Sequence, residues 1–192
     1  MIKKWKTISS RIVFEHPRMK LSEDVVELPN GERTTYLREQ PAVHHSVGVI
    51  ARDEQGRILL QREYSYPPDE ILYQLPGGGI EAGEDIIEAG MRELSEESGL
   101  TATNGQILGS FFLSNRHSNK KQYIVLCSNV TARELPADPE EFIESMWMEP
   151  AQIEQLVRDG IIQNINLLAA LQLLAAKGAA MDRNIDNKSQ QA

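Results

Sequence analysis

From residue 78 to residue 100 the chain reads GGIEAGEDIIEAGMRELSEESGL. A glycine-rich loop runs into a helix and stops at Gly99. Asp85 is a favourable N-cap, with Glu88 at the capping-box position three residues later. Gly99 suits the left-handed backbone that closes a helix. Steps of about 100° per residue put Ile87, Gly90, Met91 and Leu94 on one face, which should bury. Glu93, Glu96 and Glu97 share an adjacent face, with Ile86 and Ala89 below them. At spacings of three and four residues, like charges repel. Arg92 is predicted to lie to one side. A solvated acidic face is the ordinary meaning of such a run. The other meaning is a hard divalent cation held by carboxylates, shared with substrate phosphates.

The spacing around the glutamates separates these two meanings. Five residues divide Gly78 from Glu84, and seven more divide Glu84 from Arg92. Then follows Arg-Glu-Leu-Ser-Glu-Glu-Ser-Gly-Leu. Every specified position fits G-x5-E-x7-R-E-U-x-E-E-x-G-U, with U aliphatic. The chain therefore resembles the Nudix hydrolases.

Outward from this stretch, length and composition set the frame. The chain has 192 residues, enough for one substantial core and a small accessory lobe. Its net charge of −8 argues against broad binding to a nucleic-acid backbone, so no long nucleic acid is expected as a partner. Cys127 is the only cysteine, so an intrachain disulfide is excluded; within YIVLC it reads as a small core residue. The opening MIKKWKTISS lacks the apolar run of a signal peptide, and no segment reaches the length of a membrane span. A cytoplasmic protein without membrane contacts is expected.

Upstream, residues 1–40 suggest a lobe of antiparallel strands, over 11–14, 24–28 and 34–37. Asn30-Gly31 supplies the hairpin signal. Trp5 is the expected buried anchor. Residues 43–51 are mostly apolar, as in a strand covered on both faces. His44 and His45 are expected to be ordinary hydrogen-bonding histidines. Residues 58–61 return after the turn at 53–56, and 62–66 continue to Pro67-Pro68. Gly77, Gly78 and Gly79 then let the backbone approach a ligand.

Downstream, strands are predicted over 106–113 and 122–130, joined by a polar, basic loop at 114–121. Residues 135–141, LPADPEE, form an acidic loop. A strand over 142–148 follows, with Trp147 toward the core. One helix starts at Pro150 and stops at Gly160. A second runs over 164–177 and ends at Gly178, leaving 179–192 as a frayed tail. No internal repeats are present. The expected organisation is a strand lobe over 1–40, a catalytic domain over 41–178 and the tail.

The resemblance covers roughly residues 42–175 and implies an α/β/α sandwich with a mixed sheet, carrying the motif as a loop–helix–loop at one end. It also implies an enzyme that hydrolyses a nucleoside diphosphate linked to another moiety. Mg²⁺ is the implied cofactor, with Mn²⁺ able to substitute. Glu93 and Glu97 would ligate metal, with Glu96 as ligand or catalytic neighbour. Gly77, just before the first motif glycine, would give a carbonyl. Arg92 would orient the carboxylates, pairing with Glu84. The general base would come from the 135–141 loop, as Glu141 or Glu140.

The strand lobe, REYSYP before LPGG, and the C-terminal helix are similar to the ADP-ribose and nucleotide-sugar pyrophosphatase group. Those are homodimers in which the N-terminal lobe helps build the partner's site. Two departures stand out. Glu63-Tyr64-Ser65 replaces Gln-x-Arg, removing an arginine that meets phosphate, with Arg62 nearby. Ser114-Asn115-Arg116 replaces a Ser-Pro-Gly turn. Substrate contacts are thus expected from Arg62, Tyr66, Gly78 and Arg116. A dinucleotide or capped-RNA pyrophosphohydrolase, and a non-catalytic nucleotide-binding regulator, are the alternative readings.

Overall fold

The computed structural model describes residues 1–41, 45–132 and 142–189. Two compact units divide the chain: Met1–His45 with Phe111–Lys121, and Ser46–Ser110 with Gln122–Ala192.

The first unit is built on three antiparallel strands in the order β1-β2-β3: β1 (Lys6–His16), β2 (Met19–Glu27) and β3 (Arg33–Pro41). The β2–β3 hairpin turns where the Asn-Gly signal stands. Gly31 adopts φ +88°, and its N–H donates to the Leu28 carbonyl at 2.9 Å. On β2, Ser22, Asp24 and Val26 are buried at every second position, the period of a strand with one covered face. Asp24 accepts from the Ser10 hydroxyl on β1 and from Arg38 Nε on β3, so a buried carboxylate ties the three strands together. Trp5 corrects the sequence reading. It is 52% exposed and meets the Tyr36 ring edge-on, with 6.0 Å between centroids. It stands just before β1, which is exposed along its whole length and so offers no covered face for an indole.

The second unit contains two three-stranded sheets and three helices. One sheet has the order β4-β8-β7: β4 (His45–Ala51), β7 (Leu100–Phe112) and β8 (Lys121–Ala132). The other has the order β6-β5-β9: β5 (Ile58–Ser65), β6 (Glu70–Gln74) and β9 (Ile143–Met148). β6 is a strand that the sequence reading passed over. It pairs antiparallel with β5, placing Gln61 opposite Gln74, and Glu70 through Gln74 show no clear alternation to announce it. β4 is buried almost throughout, as its apolar run requires.

The helices are α1 (Ile86–Ser98), α2 (Pro150–Arg158) and α3 (Ile165–Ser189). They cover both faces of β5. Leu59 belongs to the cluster formed by Val47, Val49, Val125, Ala89 and Leu94, which is the α1 side, and Trp147 packs against it. Ile58, one residue earlier, points the other way and lines a cavity with α2 and α3. This is the α/β layering that the sequence suggested. α3 does not stop at Gly178; it continues to Ser189. One interior glycine costs a helix only about 1 kcal/mol, too little to end it. Among the described residues, no helix is long and apolar enough to cross a membrane.

Candidate active site

The site begins with how the glycine loop is fixed. Residues 76–79 run alongside β4. Val47 N–H donates to the Gly78 carbonyl at 3.0 Å, Val49 N–H donates to the Pro76 carbonyl at 2.8 Å, and Ser46 bridges Gly79. At Gly77 the backbone has φ +152°, and a Cβ there would stand 2.2 Å from the Val47 carbonyl oxygen. Only glycine fits both constraints. The reward is a donor in the right place: Gly77 N–H bonds Glu97 Oε2 at 3.0 Å. At Gly78 a Cβ would fall 2.5 Å from both carboxylate oxygens of Glu93, so the carboxylate lies directly on this glycine.

The helix then presents the acids. Asp85 caps α1, accepting from the N–H groups of Ile87 at 2.8 Å and Glu88 at 3.3 Å. Gly99 closes it at φ +65°, as predicted. Gly90 lets α1 approach the sheet: a Cβ there would meet Val47, Val49 and Val125 at 3.3–3.4 Å. Ala89, Gly90 and Leu94 are buried, while Ile87 and Met91 are half-buried against the core. Ala89 is thus a core residue, although the helical projection placed it below the glutamates. Because this face is buried, Glu93 and Glu97 turn toward the glycine loop, while Glu96 stays exposed beside Arg92.

Arg92 is the hub, and here the expectation that it lies to one side is corrected. Its Nε and Nη2 donate to the two oxygens of Glu84 at 2.8 and 3.0 Å. Nη2 also reaches the Gly79 carbonyl at 2.9 Å. Nη1 donates to Glu93 at 2.9 Å and to Glu96 at 3.1 Å. Glu96 is one turn from Arg92 and within ordinary i, i+4 reach, and the same side chain also bends to Glu93 and Glu84. The expected Arg92–Glu84 pair is present, in bidentate form. The Arg92 hydrogen bond draws the Glu84 carboxyl below its ordinary pKa. Burial pushes Glu93 the other way, above the usual carboxylate range, against the pull of Arg92.

Glu93 is therefore a desolvated carboxylate resting on bare glycine backbone, beside Glu96 and a loop-anchored Glu97. Such a set of oxygen donors suits a hard divalent cation. Among the described residues the acids are not drawn together at metal-ligand spacing; Arg92 and the Gly77 N–H hold them in their present positions. The donor chemistry fits a metal, with charge to spare.

The remaining predicted residues lie as follows. Arg62 on β5 is paired with Glu144 at 3.4 Å and sits over the Tyr73 ring at 5.8 Å. Tyr66 is 82% exposed in the turn before β6. Arg116 belongs to the first unit, where its carbonyl accepts from the Tyr36 hydroxyl. Glu140, Glu141 and His44 lie outside the described residues. His45 behaves as expected, its Nδ1 accepting from the Lys121 N–H at 3.3 Å. Cys127 is buried in the core, and burial pushes its thiol up to about 11.

One polar residue escaped the sequence reading. Gln61 is wholly buried on the α1 side of β5, with Nε2 toward Ser145 Oγ at 3.5 Å. The available signal was its place two residues after Leu59, on the same inward face.

The site is thus a glycine loop strapped to a strand, feeding a capped helix whose outer face gathers carboxylates around one arginine. Comparison with known proteins bears on the rest. The NUDIX domain model matches residues 42–171, and a nucleoside diphosphate sugar hydrolase N-terminal domain model matches residues 5–36. The chain belongs to the Nudix family and is a pyrophosphohydrolase enzyme. It is 28% identical over 180 residues to an ADP-ribose pyrophosphatase of Bacillus subtilis (strain 168), covering 91% of this chain and 94% of that protein. It is equally 28% identical, over 176 residues, to a methanol dehydrogenase activator of Bacillus methanolicus, again covering 91% and 94%. A crystal structure of an ADP compounds hydrolase superposes with TM-score 0.85 at 22% identity, covering 95% of this chain and 98% of that one, which establishes the fold. Nudix hydrolases generally work with divalent metal ions.

Proposed function

We propose that this enzyme hydrolyses the pyrophosphate bond of a nucleoside diphosphate joined to another moiety, with ADP-ribose or a nucleotide sugar as substrate. The observation that carries this is the Glu93–Glu96–Glu97 face, held by Arg92 and by the Gly77 N–H. The relative named ADP-ribose pyrophosphatase and the match of residues 5–36 to a nucleoside diphosphate sugar hydrolase domain support the substrate class.

Mg²⁺, with Mn²⁺ as substitute, is the cofactor proposed; when bound it supplies charge neutralisation for the diphosphate and acidifies a water. Glu93, Glu96, Glu97 and the Gly77 carbonyl would hold it. The loop strapped to β4 and the buried face of α1 bring these donors to one end of the helix, and metal binding would draw Glu93 and Glu96 off Arg92 and Glu97 off the Gly77 N–H. Arg92 neutralises the acids in the free enzyme and orients them. Glu141 or Glu140 would remove the proton from water. Gly78, Arg62 and Tyr66 would line the substrate, and Arg62 must leave the exposed Glu144 to do so, a contact of little strength. A homodimer joined through the N-terminal strands, working in the cytoplasm, completes the reading.

The test is a nucleotide panel with product identification, run with Mg²⁺, with Mn²⁺ and with chelator. It should include ADP-ribose, ADP- and UDP-sugars, dinucleoside polyphosphates and a 5′-triphosphorylated RNA. Cleavage of a nucleoside diphosphate derivative to a nucleoside monophosphate, lost by orders of magnitude in Glu97→Gln, is the expected result. Turnover restricted to RNA or dinucleotides would reject the substrate class. A protein inert on the whole panel would reject the activity.

A further inference from the structure

The β5 strand separates two chemical environments. Leu59 packs with Ala89 and Leu94 of α1, while Ile58 opens onto a cavity on the opposite face. That cavity lies between α2 and α3 and has a volume of about 590 Å³, in the range of small-molecule sites. Ile58, Val157, Leu168 and Leu171 make its apolar wall.

Its polar lining is unusual for this chain. Although the net charge is −8, Arg52 and Arg158 stand against one carboxylate, Glu154. Arg52 directly follows β4, and among the described residues its side chain makes no hydrogen bond or ion pair. Arg158 touches Glu154 at 3.4 Å and Gln155 at 3.0 Å, both exposed contacts on its own helix that exchange readily. An apolar wall beside guanidinium groups calls for a ligand with an apolar body and an anionic head. Guanidinium matches carboxylate in a two-point bond.

We propose that this cavity is a binding site for an amphipathic monoanion, a medium-chain carboxylate. The carboxylate meets Arg52, with Arg158 swinging in, and the chain lies along Leu168, Leu171 and Ile58. Because the cavity is across the sheet from the box helix, the site is independent of the phosphoanhydride chemistry.

The test is calorimetric titration of the full chain with hexanoate, octanoate and decanoate, and with 1-octanol as the uncharged control. One saturable site is expected, tightening about three- to fourfold per added methylene. Octanoate should bind about tenfold more tightly than 1-octanol, the worth of one charge-assisted hydrogen bond. Arg52→Gln should remove that preference and leave 1-octanol unchanged. Leu171→Trp should fill the cavity and abolish binding of both. Far-UV circular dichroism and melting temperature verify that each variant is folded; Arg52 is exposed, so its variant folds even where the tryptophan does not. Absence of saturable binding up to millimolar octanoate would overturn the proposal. So would equal affinity for acid and alcohol, or binding indifferent to both substitutions.

Discussion

Arg92 clasps Glu84 at two points, Nε to one carboxylate oxygen at 2.8 Å and Nη2 to the other at 3.0 Å, leaving Nη1 for Glu93 and Glu96. This one side chain neutralises acids that α1 would otherwise force together. Removing it leaves half-buried carboxylates uncompensated, and breaking such pairs costs about 3 kcal/mol when the site is fully buried. Arg92→Ala should therefore lower stability by about 2 kcal/mol in chelator, with Mg²⁺ restoring part of the loss. Arg92→Lys should behave almost as badly, because an ammonium cannot make the two-point clasp. Thermal melts with and without Mg²⁺ measure both; a variant as stable as wild type in chelator would refute the hub.

Glu93 predicts opposite effects on activity and on stability. Its carboxyl is pushed up by burial against the pull of Arg92. A raised folded-state pKa means that the native state binds the proton more tightly than the unfolded chain. That contribution is complete below the unfolded pKa and lost as pH rises through the folded one. At neutral pH the ionised Glu93 is therefore a cost to the metal-free protein. Glu93→Gln should abolish hydrolysis yet leave the metal-free melting temperature equal to wild type or higher. A clear drop in melting temperature in chelator at pH 7 would contradict this.

Gly77 and Gly78 should fail differently. Alanine at Gly77 brings a Cβ to 2.2 Å from a backbone oxygen that cannot yield. The substitution should cost about 2–4 kcal/mol and release Glu97 from its N–H. Alanine at Gly78 meets the Glu93 carboxylate first, at 2.5 Å, a side chain that can move aside. It should cost little stability while displacing a metal ligand, so activity should fall far more than melting temperature. Comparing the two variants by denaturant titration and initial rate checks the contrast.

Asp24 ties the N-terminal strands and should make that unit acid-sensitive. The Ser10 hydroxyl, then Arg38, hold its carboxyl below the ordinary range. A depressed folded pKa gives stability that is present above the unfolded value and lost as pH falls through the folded one. Acid titration followed by Trp5 fluorescence should show the N-terminal unit loosening below about pH 4. Asp24→Asn should weaken that unit at neutral pH and flatten the acid dependence; an unchanged acid profile would exclude the role.

Some of this was legible in the linear chain and some was not. The Asp85 cap, the Gly99 stop and the Gly31 turn were readable because each depends on dihedrals and bonds within four residues. The strand β6 was not, because its pairing with β5 is settled by a partner strand. The exposure of Trp5 and the burial of Ala89 escaped for a related reason: burial depends on what lies opposite, which neither hydrophobicity nor helical angle contains.

The sequence by itself determined that three glutamates share a helical face beside an arginine, since a period of 3.6 residues fixes neighbours one turn apart. Tertiary structure decided what those glutamates touch. Gly77 reaches Glu97 and Gly78 underlies Glu93 only because residues 76–79 are strapped to β4. The cavity beyond Ile58 likewise exists only because α2 and α3 cover the far side of β5. Local spacing follows from covalent geometry, whereas contacts between distant segments follow from the packing of whole elements.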